Sequence, residues 1–118
     1  MKALLIGLPK CSTCKKAEKF LKDNNIDYDY QDIREDNPSY DQIKEIYQKS
    51  SLDIKKFFNT SGMAYRKENL KDKLPQMTED EKLEKLASDG MLVKRPILIY
   101  KDKILVGFKI DQYQEFIK

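Results

Sequence analysis

The stretch Lys2-Ala3-Leu4-Leu5-Ile6-Gly7-Leu8-Pro9-Lys10-Cys11-Ser12-Thr13-Cys14-Lys15-Lys16-Ala17 sets the reading of the whole chain. Lys2 to Leu8 is a short apolar run closed by Pro9, the pattern of a buried strand. Cys14 to Lys22 then carries helical spacing through Ala17, Phe20 and Leu21, and Ser12 or Thr13 is a suitable cap for it. Cys11 and Cys14, the only cysteines in the sequence, therefore fall where a strand hands over to a helix. A helix N-terminus offers unpaired N–H groups and the positive end of the helix dipole, and both favour a thiolate. The second thiol, three residues on, sits about one helical turn away, where it can capture an oxidised first one. This arrangement suits thiol–disulfide chemistry.

A chain of 118 residues can bury one core, and a single domain over 1–118 is expected. Hydrophobic residues make up 40% and charged residues 36%, a globular composition with a heavily charged surface. The net charge of +3, from 23 basic and 20 acidic side chains, makes no electrostatic case for binding nucleic acid or a membrane surface. Ala3-Leu4-Leu5-Ile6 is too short to span a bilayer or serve as the apolar part of a signal peptide. A cytoplasmic, reducing location is expected, where cysteines are more often catalytic, redox-sensing or metal-binding than structural. Histidine is absent, so one chain cannot fill a Cys/His zinc site, and Lys15 breaks the C-x-x-C-H pattern of haem attachment. No metal and no resident cofactor are expected.

Further along, Ile26, Tyr28 and Tyr30 alternate with Asp27, Asp29 and Gln31, which predicts a second strand over 26–33 and a β-α-β opening with parallel strands. A helical insertion over about 38–92 follows. Asn37-Pro38-Ser39 starts a helix over Tyr40 to Lys49, and Leu52 to Phe58 reads as a short second helix that turns Leu52, Ile54, Phe57 and Phe58 to the core. Met63 to Leu74 is basic and weakly patterned. Thr78, with Glu81 three residues on, forms a capping box ahead of Leu83, Leu86 and Ala87, and Gly90 is the stop. A strand opens after Pro96 and runs to Tyr100, Lys101-Asp102-Lys103 turns, and Ile104 to Gly107 pairs back. Asp111 to Ile117 closes the chain as a helix with Tyr113, Phe116 and Ile117 inward. Tyr28, Tyr30, Phe57, Phe58 and Phe108 read as core packing.

The fold class that follows is α/β: β-α-β, a helical insertion, then β-β-α, with four strands in a mixed sheet. That order, with C-x-x-C after the first strand and a proline opening the third, resembles the thioredoxin superfamily. More narrowly, Pro9-Lys10-Cys11-Ser12-Thr13-Cys14-Lys15-Lys16-Ala17, Asp32-Ile33, Phe58-Asn59-Thr60-Ser61-Gly62, Lys94-Arg95-Pro96-Ile97 and Val106-Gly107-Phe108 resemble the glutaredoxin-like arsenate reductase family, ArsC, which includes the Spx and MgsR transcriptional regulators. The resemblance implies a thioredoxin-like fold with Cys11 as nucleophile. It also implies a cis peptide before Pro96 facing the thiol, and Arg95 as an anion-binding or thiolate-stabilising side chain. Independently, Lys10, Lys15 and Lys16 bring positive charge near the helix start, although a solvated helix face is their default reading. Ser12 and Thr13 are candidates for substrate contact as well as for capping.

The sequence departs from the arsenate-reducing pattern. Ser61 stands after Asn59-Thr60 and Phe108-Lys109 after Val106-Gly107 where that pattern has arginines, leaving Arg95, with Arg66 as a substitute near in sequence. Serine cannot replace arginine's bidentate fork and lysine does so poorly. The usual pattern also lacks a second cysteine at the place of Cys14. The unrelated arsenate reductase class needs Cys-x5-Arg, and six residues after Cys11 and Cys14 stand Ala17 and Phe20. The expected function is a thiol-dependent oxidoreductase with Cys11 and Cys14 catalytic and Arg95, Pro96, Ser12 and Thr13 binding substrate, reducing a disulfide or arsenate. Its partner would be a small thiol or a thioredoxin-type reductant, and the protein is expected to be monomeric. The alternative is a redox-sensing regulator that binds the RNA polymerase alpha subunit. The regulators carry a longer, charged C-terminal tail and a glycine near Ser50-Ser51-Leu52, both missing here.

Overall fold

The apolar run at the amino end becomes the centre of a sheet. A computed structural model describes residues 2–116. In it β1 (Ala3–Gly7) is buried at all positions but Leu4. A strand covered on both faces loses the alternation of a half-exposed one, which is why Ala3 to Gly7 is apolar throughout. β1 pairs in parallel with β2 (Tyr28–Asp32) and antiparallel with β3 (Ile97–Tyr100), and β3 pairs antiparallel with β4 (Lys103–Val106). Among the described residues these four strands form one mixed sheet in the order β2-β1-β3-β4. Edge strand β2 keeps the alternation through Tyr28, Asp29 and Tyr30, with the two tyrosines leaning on the core and Asp29 exposed, whereas Gln31 in the polar phase is buried.

The chain groups into two compact units, one running up to Ile33 and resuming at Arg95, the other covering residues 34–94. The first holds the sheet, α1 (Ser12–Asp23) and α6 (Ile110–Phe116). Its core joins Ala3 and Leu5 of β1 and Leu98 of β3 to Ala17, Phe20 and Leu21 of α1 and Tyr113 and Phe116 of α6. Tyr113 is the hub: its ring meets Phe20 edge-on at 5.4 Å and Phe108 at 4.6 Å. Burying a side chain as fully as Tyr113 contributes about 1.5–3 kcal/mol. The hydroxyl of Tyr113 donates to the Gly107 carbonyl at 3.1 Å, and the Gly107 N–H donates to the Pro96 carbonyl at 2.7 Å. Gly107 needs to be glycine, since its φ of 82° lies in the left-handed region. Ile117, expected on the inner face of α6, lies outside the described residues.

The second unit is helical. α2 (Tyr40–Ser50) is capped by Ser39, whose hydroxyl accepts the Gln42 N–H, and it packs on α5 (Glu79–Ser88). The capping box at the start of α5 is present in both directions, Thr78 to Glu81 and Glu81 to Thr78. Two expectations, for 52–58 and for the end of α5, are corrected here. Leu52 to Phe58 forms no α-helix; Ser51 in the left-handed conformation ends α2, Asp53 caps a 3-10 turn over Ile54–Phe57, and Leu52 is exposed. The weakly patterned stretch forms α3 (Met63–Lys67) and α4 (Leu70–Lys73), separated by a left-handed Asn69. α5 ends at Ser88 because Asp89 turns extended; its carboxylate then accepts the Met91 N–H and starts a 3-10 turn at Gly90. Among the described residues, no helix is long and apolar enough to cross a membrane.

Candidate active site

The turn from β1 into α1 places the two cysteines. Sequence favours Ser12 or Thr13 as the cap, but Cys11 occupies that position: its backbone is extended and its sulfur accepts the Cys14 N–H at 3.4 Å. The Cys11 N–H donates to the Leu8 carbonyl at 3.1 Å, and the Cys11 carbonyl accepts from Lys15 at 3.0 Å. Hydroxyl capping loses to the thiol because α1 begins directly at Ser12, leaving Ser12 and Thr13 inside the first turn. Ser12 is exposed there and Thr13 half-buried.

Both thiols are free and their surroundings differ. Cys11 is half-exposed, whereas Cys14 has no accessible surface. Burial by itself would raise the Cys11 pKa; hydrogen bonds from the Cys14 thiol, the Cys14 N–H and the Thr13 N–H, together with the charge of Arg95, outweigh it and bring the pKa below the ordinary thiol value. Cys14 is pushed up to about 12, first by burial and then because its own proton is held in the hydrogen bond to Cys11. The pair is therefore asymmetric, with a thiolate-prone sulfur facing out and a firmly protonated one behind it.

Arg95, on the approach to β3 and followed by Pro96, bears on this site. The Arg95–Pro96 peptide is cis, as the resemblance implied, Pro96 is buried and Arg95 half-buried. The positive charge of Arg95 bears on both sulfurs. Lys10, Lys15 and Lys16 are exposed, and the groups that lower Cys11 are Cys14, Thr13 and Arg95 instead. Arg66 lies exposed on α3 in the helical unit. Among the described residues no three of Cys, Asp and Glu gather as metal ligands would.

Sequence reading missed Gly7. A Cβ built there would meet the Cys14 sulfur at 2.7 Å, the Tyr30 hydroxyl at 3.0 Å and the Cys14 Cβ at 3.3 Å. The glycine lets the second cysteine lie against the strand. Its signal was available, since a glycine inside an otherwise apolar strand marks a close approach. Tyr30 escaped notice as anything but packing, because its neighbour above Gly7 becomes visible only once β1, β2 and α1 are assembled.

Comparison with known proteins shows what the chain as a whole is similar to. The model of the ArsC family matches residues 6–116. The protein YusI of Bacillus subtilis (strain 168) is 55% identical over 107 residues, covering 91% of both chains. The global transcriptional regulator Spx of Listeria innocua is 30% identical over 110 residues, covering 92% of this chain and 82% of Spx. A Streptococcus mutans UA159 crystal structure, described as "a possible arsenate reductase", superposes with a TM-score of 0.85 at 43% identity, covering 95% of this chain and 97% of the other. A glutaredoxin from Archaeoglobus fulgidus shares the fold alone, with a TM-score of 0.52 at 17% identity over 99% of this chain and 86% of the other.

Proposed function

The chain belongs to the ArsC family, and we propose that within it this protein is a cytoplasmic thiol–disulfide oxidoreductase that works through Cys11 and Cys14. The supporting observation is the asymmetry of the pair. A half-exposed sulfur of lowered pKa is the nucleophile of the pair, and a buried, protonated neighbour in hydrogen-bond contact is a reservoir for the second step. The Cys11 thiolate attacks one sulfur of a substrate disulfide and releases the other half as a thiolate. Cys14 then attacks the Cys11 sulfur, forms the internal disulfide and expels the bound half. The substrate gains two electrons, and an external dithiol of the thioredoxin type, or two small thiols, returns the pair to the reduced state. Arg95 and the backbone at Pro96, with Ser12 and Thr13 in the first turn, form the surface the substrate meets.

A disulfide suits this site better than arsenate. Ser61 and Phe108-Lys109 stand where the arsenate-reducing pattern has arginines, and an oxyanion needs several guanidinium forks. The test is turnover of the purified, reduced protein on a disulfide and on arsenate, with a small thiol or thioredoxin supplying electrons. Disulfide consumption above that of the Cys11→Ser variant is expected, with little arsenate reduction. Equal rates for the two proteins on both substrates refute the reading.

The 30% identity to Spx favours a second reading, in which the same pair reports oxidation to a transcription partner. Retention of the oxidised or the reduced protein on immobilised RNA polymerase alpha subunit supports it, and no retention in either state removes it.

A further inference from the structure

One buried ionisable group beside the cysteines has no task in that scheme. Tyr30 stands on β2 opposite Leu5 of β1, with its ring against the core. Its hydroxyl is buried and has no hydrogen bond of ordinary geometry among the described residues. A buried phenol oxygen left in that state is costly and calls for an explanation. The gap above Gly7 shows where it is aimed. The Cys14 sulfur and the Tyr30 oxygen both crowd the point that a side chain on Gly7 would fill, at 2.7 Å and 3.0 Å. Other groups nearby are committed. The Tyr113 hydroxyl donates to Gly107, and the Glu18 carboxylate accepts the Tyr28 hydroxyl at 2.6 Å. Of the polar groups that bear on the Tyr30 hydroxyl, Cys14 acts most strongly, ahead of Glu18 and Cys11.

We propose that Tyr30 is a positioning residue for the second half of the reaction, its hydroxyl donating a hydrogen bond to the Cys14 sulfur as that sulfur becomes a thiolate and attacks Cys11. The inference rests on the dithiol reading given above. In the reduced pair the proton of Cys14 is held by the charge on Cys11. Once Cys11 is bonded to a substrate sulfur, that charge is gone, and Cys14 must ionise in a site whose burial opposes it. The Tyr30 phenol is itself kept protonated, first by burial and then by the sulfur and carboxylate charges of Cys14, Glu18 and Cys11. At neutral pH it therefore keeps its proton and has an O–H to offer to the Cys14 sulfur. The Cys14 proton passes through solvent to the departing substrate thiolate, the Cys11–Cys14 bond forms and the Cys11–substrate bond breaks.

The test is Tyr30→Phe, which removes the oxygen and keeps the ring. Reduced protein is mixed with a small chromophoric aromatic disulfide in a stopped-flow instrument. Its first thiolate is released when Cys11 attacks and its second when Cys14 resolves the adduct. In the variant the first phase is expected to be unchanged. The second is expected to be about tenfold or more slower, the size of one hydrogen bond to a charged sulfur, with its pH profile displaced upward. Thermal stability is expected to be unchanged or higher, since a buried unsatisfied oxygen has been removed. A second phase of equal rate and equal pH profile in both proteins overturns the inference and leaves the dithiol reading standing, and slowing of both phases alike also overturns it. Absence of the second phase from the unaltered protein overturns both.

Discussion

The Cys14 N–H points at the Cys11 sulfur, 3.4 Å away, so the first cysteine caps the helix that carries the second. Protonating Cys11 thus weakens a helix cap, while ionising it strengthens one. Reactivity should follow. Alkylation of the reduced protein should show one midpoint below the ordinary thiol value, belonging to Cys11, and no second midpoint until near pH 12, where Cys14 ionises. Mass mapping of the alkylated residue across a pH series checks the assignment, and modification of Cys14 at neutral pH would contradict it.

Arg95 contributes to that lowering by charge alone. Arg95→Gln should decrease the alkylation rate of Cys11 at neutral pH by about two- to fivefold, the effect of one partly solvent-screened charge, and Arg95→Lys should retain most of the rate. The Arg95→Gln defect should shrink in unaltered-versus-variant comparisons at high salt.

Gly7→Ala inserts a carbon 2.7 Å from the Cys14 sulfur, a contact that cannot persist. The strand or the sulfur must shift, at a cost of about 1–3 kcal/mol. Urea denaturation should show a lower midpoint at unchanged slope. The displaced Cys14 should also slow internal disulfide formation under mild oxidant, measured as loss of two hydrogens by mass.

Thr78→Ala removes one arm of the capping box on α5 and strands the Glu81 N–H it accepts from. A loss of about 1 kcal/mol is expected in the same denaturation experiment, with Cys11 alkylation unaffected because the substitution lies in the helical unit. Thr78→Asp should recover most of it.

Strand β1, helix α1, the β3–β4 hairpin and the capping box were legible because each rests on local chemistry: an apolar run, a periodic face, a proline before a strand, a Thr-x-x-Glu spacing. The middle of the chain was less so. Leu52 to Phe58 has helical composition, but the left-handed Ser51 and the Asp53 cap redirect it; aspartate is a favoured cap, whereas serine gives no sign of a left-handed backbone. At the site, the position of Cys11 and Cys14 at a strand-to-helix turn was readable from type and spacing, while the cis peptide before Pro96 came from the family resemblance; the cap itself was misassigned because sulfur is an uncommon helix cap. Gly7 and Tyr30 gained meaning only from assembly, since their relation to Cys14 crosses two strands and a helix and leaves no mark in any one of them.

The path from Tyr113 through Gly107 to Pro96 consists of two hydrogen bonds, and it ties the last helix to the residue beside Arg95. Tyr113→Phe, which keeps the core ring and removes only the hydroxyl that begins this path, should therefore surface as dulled thiol chemistry in a chain that still folds. A screen for redox defects would recover it among the site mutations, whereas truncation of the same ring would empty the core and register in a screen for stability as well.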